Sequence, residues 1–244
     1  MRIGAAMALV AALVVSATAV GGCRRGERFR EFEYEEEIFL ALDGSATAYV
    51  NSSVAALNAL RGASFPTDAG ARIDREAVRA WFTTPIAPVT RRPGLSRRKG
   101  RRFVHVRIDI DNVMRLAEGA PFAWSSYRFA NEGGVLVYRQ TVGKSAAKDV
   151  GNVGWNGSEG VAFRFHMPST VVDHNAGAKK RGNILVWEQL LSDRLRGEPM
   201  MIEARMETRS ILSRTLLLFI STGAAVALSF GLVLSWVLRR GRSH

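Results

Sequence analysis

Twenty-four consecutive residues, Thr215 to Leu238, carry no charge, and as a helix they would extend about 36 Å, enough for a hydrocarbon layer of about 30 Å. A buried helix of that length would show a polar face, whereas this stretch offers only Thr and Ser. The reading is a transmembrane helix over 212–238. Arg214 bounds it on one side, Arg239, Arg240 and Arg242 on the other, and Trp236 falls where an aromatic ring prefers the interface.

The other end of the chain is apolar too. Arg2 precedes a hydrophobic run from Ile3 to Val20, and Gly21 and Gly22 follow, which is the layout of a translocation signal over 1–22. Cys23, the chain's one cysteine, comes next. It rules out an intramolecular disulfide and makes Cys23 the candidate lipidation site, because Val20-Gly21-Gly22-Cys23 resembles a bacterial lipobox. Cleavage at Ala17-Thr18-Ala19 and an uncleaved anchor are the alternatives. With the signal removed, the basic tail 239–244 lies in the cytoplasm and the domain 23–211 outside. Arg24, Arg25, Arg28 and Arg30 oppose that bias and keep the inverted orientation open.

Between the two ends, hydrophobicity of 47% across the chain supports one buried core. Glu31 to Leu42 alternates, with Phe32, Tyr34, Ile38 and Leu40 opposite Glu33, Glu35 and Glu37, and Asp43-Gly44 turns the chain into a second strand over Ala46 to Val50. Asn51 or Ser52 caps a helix through Leu57 and Leu60 that Gly62 closes, and Asp74 caps another ending before Pro85. A short helical stretch at Val113 to Ala117 lies among apolar or alternating runs at Phe103–Ile110, Val135–Val137, Val161–Phe165, Ile184–Trp187 and Met201–Met206. The predicted fold class is α+β, an antiparallel sheet with helices packed on one face.

A net charge of +12, from 34 Lys and Arg against 22 Asp and Glu, raises nucleic acid, anionic lipid and acidic glycan as partners. An anchor beside headgroups favours the membrane surface over nucleic acid. Seven cations crowd into twelve residues: Arg91, Arg92, Arg97, Arg98, Lys99, Arg101 and Arg102. Pro93 and Gly94 there predict an irregular loop, either simply solvated or a headgroup-binding site. Phe122, Trp124, Tyr127 and Phe129 fill the core or line an apolar groove for an acyl chain.

Catalytic patterns are weak. His166, Asp173 and His174 match no metal-ligand spacing, Ser169 lacks the Gly-x-Ser-x-Gly elbow of many serine hydrolases, and Gly151 to Gly160 lacks the residues that cradle a phosphate. The expectation is a protein without enzymatic activity, cofactor or metal.

Phe163-Arg164-Phe165-His166-Met167-Pro168, Val171-Val172-Asp173-His174-Asn175-Ala176-Gly177, then Gly182-Asn183 and Trp187 resemble the C-terminal part of the LppM-type bacterial lipoproteins. The resemblance covers roughly 50 residues. It implies a lipobox, a C-terminal transmembrane helix and a domain that binds a glycolipid of the phosphatidylinositol mannoside type. The basic segment after Pro88 falls outside that pattern. Two functions follow as expectations. One is an envelope lipoprotein whose domain binds an amphiphile, an anionic phospholipid or glycolipid. The other is a scaffolding module for another envelope protein.

Overall fold

The computed structural model describes residues 32–68, 70–180 and 182–240; the signal segment and Cys23 lie outside the described residues. Strand β1 (Phe32–Leu40) turns at Asp43-Gly44 into β2 (Ala46–Ser53), as the alternation predicts. Ser53, one residue beyond the predicted caps, accepts from Ala56 N at 3.0 Å and starts α1 (Val54–Arg61). Gly62, at φ 75°, ends it, since a left-handed residue closes a helix most easily without a Cβ. Asp74 caps α2 (Arg75–Phe82). Strands β3 (Gly94–Arg98), β4 (Arg101–Ile110), β5 (Ser125–Glu132), β6 (Val135–Val142) and β7 (Gly160–His166) follow. After them come β8 (Ser169–His174), β9 (Ala178–Lys180), β10 (Ile184–Leu190), a short α3 (Leu191–Leu195), β11 (Met200–Ser210) and α4 (Ile211–Arg240).

The class is α+β, but the single antiparallel sheet is corrected to two sheets. The larger has the order β3-β4-β2-β1-β7-β10-β9 and is mixed, because β7 joins β1 in parallel; the smaller, β5-β6-β11-β8, is antiparallel. The parallel pair joins segments more than a hundred residues apart, and no local turn signal marks such a partner.

The inner face of the large sheet is covered in two portions. Helices α1 and α2 lie over one, and the small sheet covers the other, with Tyr138 and Phe165 rings 4.9 Å apart. Residues from both portions form one continuous core. On the outer face, Phe39 and Tyr49 stay exposed in edge-to-face contact at 5.7 Å. The helices therefore share their task with a second sheet, where the sequence reading had helices alone.

One charged island lies inside this core. Glu36 occupies the same strand face as Tyr34 and Ile38, and its carboxylate meets Arg61 Nη1 at 3.6 Å, each side chain 1% exposed. The Tyr34 hydroxyl bridges them, donating to Glu36 at 2.6 Å and accepting from Arg61 at 2.5 Å. The guanidinium carbon also lies 4.9–5.8 Å from the rings of Tyr34, Phe82, Phe122 and Trp124, which offsets part of its lost hydration. Burial, resisted by the nearby Arg61 charge, holds the Tyr34 phenol well above its ordinary pKa.

Among the described residues no helix is long and apolar enough to cross a membrane. The side chains of α4 are described from Leu216 to Leu232, and the apolar ones among them are exposed around the helix, Leu216, Leu217, Leu218 and Phe219 at 61–73%.

Candidate functional site

The seven cations do not form the irregular loop the sequence predicts. Gly94–Arg98 pairs with the start of β4 as a hairpin, Arg97 opposite Arg102 and Arg98 opposite Arg101. Lys99 and Gly100 make the turn, both with positive φ (48° and 76°). Two consecutive left-handed residues are what a two-residue hairpin turn needs to match strand twist. Pro93 and Gly94 do not prevent the pairing: Pro93 precedes the edge strand and Gly94 begins it, where a missing donor costs nothing.

The hairpin divides its cations by environment. Arg91, Arg92, Arg97, Arg98 and Lys99 are exposed. Arg98 stacks over Phe103 at 4.2 Å and donates to the Phe32 carbonyl. Arg101 turns inward. Its Nε and Nη2 lie 3.1 and 2.8 Å from Glu33 Oε1, and its Nη1 donates to the Gly154 carbonyl at 3.1 Å. Trp155 Nε1 donates to the other Glu33 oxygen at 3.3 Å. Glu33 is thus fully buried, although it stands on the strand face opposite the core. Arg102 donates to the Asp68 carbonyl at 2.9 Å. Of the seven cations taken as headgroup candidates, Arg91, Arg92, Arg97, Arg98 and Lys99 are exposed, while Arg101 is committed to holding structure.

Beside the turn a cleft of about 500 Å³ opens, lined among others by Thr67, Asp68, Lys99, Arg101, Arg102 and Asn152. Its far wall belongs to the strap 143–159, which has no helix or strand. Ala146 N bonds Leu60 O at 2.9 Å, Lys148 Nζ bonds Ala63 O at 2.9 Å, and Gly154 and Trp155 are held as described. A second cleft of about 410 Å³ shares Thr67, Asp68 and Val150 with the first and adds Lys148 and Asp149. The site mixes cations with exposed backbone, which suits a phosphate or a sugar better than a hydrocarbon.

His105 on β4 ties the hairpin to its neighbours. Its ring nitrogens lie 2.9 Å from Asn51 Oδ1 and 2.7 Å from Ser96 Oγ. Burial, and then the charge of Arg98, lower its pKa, so the neutral ring is favoured.

Of the two readings of the aromatic run, core filling and an acyl groove, the rings follow the first. Phe122 and Phe129 are buried, and Trp124 packs edge-on to Tyr34 at 5.5 Å and against Phe163 at 6.0 Å. These rings pack in the core, Tyr34, Phe122 and Trp124 against Arg61. Nor do the candidate catalytic residues share a cleft. His166 stands on the large sheet, 2.7 Å from Glu37 and stacked on Phe39 at 3.9 Å. Asp173 and His174 end β8 on the small sheet, and the Ser169 hydroxyl donates to the Arg209 carbonyl. Among the described residues no group of three His, Cys, Asp or Glu could hold a metal.

Asn175 and Trp187 have structural roles. Asn175 Oδ1 accepts from Trp187 Nε1 and from Glu203 N, each at 2.8 Å, and its amide donates to Met201 O at 2.9 Å. This clip joins the two sheets.

Sequence reasoning missed Glu33, Trp155 and the strap. The available signal was a single Trp within a glycine-rich stretch, since a large ring rarely stands alone in a solvated loop.

No protein family matches the chain, and no curated protein does. Among solved structures the chain is similar to the NMR structure of the folded domain of Mycobacterium tuberculosis LppM. That likeness has 12% identity and a TM-score of 0.40, and covers 77% of this chain and 99% of that one. Function is argued below from this chain's own residues.

Proposed function

We propose that the chain is a membrane-tethered protein of the bacterial envelope whose folded domain binds the headgroup of an anionic phospholipid or glycolipid. The observation that carries this reading is the hairpin turn, where Arg97 and Lys99 are exposed beside a cleft of about 500 Å³. Each Lys or Arg near an anionic surface contributes about 1 kcal/mol. Because the rings expected to line an acyl groove are packed in the core, the headgroup is recognised while the acyl chains stay in their own lipid phase. The tether is α4, supported by apolar side chains exposed around the helix and by the uncharged sequence to Leu238. Lipidation at Cys23 would supply a second tether.

Liposome flotation tests the reading. The full chain in mixed micelles is expected to bind phosphatidylglycerol over phosphatidylcholine, and Arg97→Gln/Lys99→Gln to lose most of that preference. Equal binding of the two lipids by the unaltered chain would refute it. A second reading, docking of another envelope protein, is favoured by the exposed Phe39–Tyr49 pair on the uncovered face of the large sheet. Crosslinking in cells that is abolished by Phe39→Ser/Tyr49→Ser would support it.

A further inference from the structure

Asn156 is followed by glycine, the single Asn-Gly pair in the chain. The pair belongs to the strap 143–159 but lies beyond the residues that line the two clefts. Asn156, Gly157 and Ser158 are exposed, while Glu159 is only 6% exposed. Glu159 is also fixed in position. Its carbonyl accepts from Leu191 N at 2.9 Å, and Gly160 after it opens β7 and pairs with Leu190.

Four hydrogen bonds surround the pair. Glu159 Oε1 accepts from Asn156 N at 2.9 Å, and Glu159 Oε2 accepts from Gly157 N at 2.8 Å. From the other side, Asn156 Oδ1 accepts from Ser158 N at 3.0 Å and from Ser158 Oγ at 2.7 Å. A backbone N–H can only donate, so the atom facing it is the amide oxygen of Asn156 and not Nδ2. One backbone nitrogen therefore has its proton on a carboxylate, while the carbonyl four bonds away has two donors on its oxygen. These are the two aids that attack of an amide nitrogen on an amide carbon needs, a base for the proton and donors for the developing oxyanion. Gly157 has no Cβ to shield its nitrogen, and a Cβ built there would meet nothing within 4 Å. Its φ of 88° is one that glycine adopts without strain.

We infer that Asn156-Gly157 is a self-modifying site, at which Asn156 loses ammonia through a cyclic imide with Glu159 as the base. The inference does not depend on the headgroup reading. Gly157 N gives its proton to Glu159 Oε2 and bonds to Asn156 Cγ, and the carbonyl electron pair moves onto Oδ1, where the Ser158 N–H and O–H stabilise it. When that pair returns, the Cγ–Nδ2 bond breaks, and Nδ2 takes the proton from Glu159 and departs as ammonia. The product is a five-membered ring of Gly157 N and Asn156 C, Cα, Cβ and Cγ, a closure favoured because both reacting groups belong to one residue pair. Water then opens the ring. Attack at Cγ gives aspartate, and attack at the main-chain carbonyl gives isoaspartate, whose backbone runs through Cβ. Water is the only other reactant. Either product adds a negative charge beside the Glu159 carboxylate, and like charges that close repel. Trp155, the neighbouring residue that bonds Glu33 at 3.3 Å, is then the tie most exposed to the change.

The test follows the full chain in detergent micelles at neutral pH, with the same chain unfolded in urea as the reference. Samples taken over time are digested with trypsin, and the fragment 149–164 is resolved by mass spectrometry into asparagine, imide, aspartate and isoaspartate forms. Hydroxylamine, which cleaves the chain at an imide, reports the intermediate. The folded chain is expected to react at least about 10-fold faster than the unfolded one. Glu159→Gln should slow the folded chain about 100-fold, and Ser158→Ala about 10-fold, with Ser158→Thr restoring the rate. The pH profile is a further readout that a purely structural role would not change. In urea the reaction is driven by hydroxide and should rise about tenfold per pH unit, whereas in the folded chain it should be flat between about pH 6 and 8, where the carboxylate stays ionised. A folded chain that reacts no faster than the unfolded one would overturn the inference, because the four bonds would then only lock the turn. A hydroxide slope in the folded chain, or an unchanged rate in folded Glu159→Gln, would overturn Glu159 as the base. Should Glu159→Gln fail to fold, the exposed Ser158→Ala and the pH profile of the unaltered chain decide the question.

Discussion

Arg61 and Arg97 stand in one domain under opposite conditions. Arg61 ends α1 inside the core, with its side chain 1% exposed, a carboxylate at 3.6 Å and four aromatic rings around it. Arg97 projects from the hairpin into solvent. Removing the first leaves a buried carboxylate without its counter-charge, whereas removing the second changes an exposed side chain that carries no buried partner charge with it. Charge counted from sequence therefore overstates the surface available to a ligand, because Arg61 and Arg101 are used inside the fold.

The sharpest break of this contrast is Arg61→Ala, expected to cost about 3–5 kcal/mol by urea unfolding of the domain. Arg61→Met/Glu36→Leu should recover most of it, since a buried ion pair replaced by apolar groups of similar volume is often neutral. A double variant as unstable as the single would show that the pairing is not what Arg61 provides. Arg101→Ala tests the intermediate case. Glu33 would keep only Trp155, with an expected loss of about 2–4 kcal/mol, and the native fluorescence of Trp155 should shift to the red. Gly100→Ala, at φ 76°, should cost about 1–2 kcal/mol and expose the hairpin amides to exchange while leaving Arg61 untouched.

Acid titration separates the two kinds of arginine again. The Arg139 guanidinium, by hydrogen bonding, holds the Glu132 and Glu203 carboxyls below their usual value of 4.5. A carboxylate whose folded pKa is depressed stabilises the fold fully above its unfolded pKa and loses that contribution as pH falls through the folded value. The unfolding midpoint should therefore drop as pH falls below about 4.5, and Glu132→Gln should flatten that slope. The smallest stability effect belongs to Arg91→Gln/Arg92→Gln, within about 0.5 kcal/mol by the same unfolding measurement. Its effect on liposome flotation should exceed its effect on stability.

Much of the local architecture is legible in the sequence because its causes are local. Asp43-Gly44 at the first turn, Gly62 after α1 and Asp74 before α2 each act within a few residues of themselves. The parallel partner of β1 is not legible, because nothing near Gly160 distinguishes a strand that pairs with Phe32 from one that pairs with a nearer neighbour. The basic hairpin is misread for a different reason. Pro and Gly usually interrupt structure, but here they precede and open an edge strand, and Lys99-Gly100 is a turn whose first residue gives little warning of positive φ. Glu36 was legible in principle: an acid between Tyr34 and Ile38 on the apolar side of an alternating strand demands a buried cation.

Strand β11 runs between β6 and β8 in the small sheet, and its last residue, Ser210, hands the chain to α4 with nothing in between. With no joint at that point, a quarter-turn of the helix about its own axis would swing the small sheet through the same angle. The clip at Asn175, which bonds both Trp187 on the large sheet and Glu203 on β11, would carry that swing across the core to the large sheet. Rotation of α4 would thus become a sweep of both sheets together.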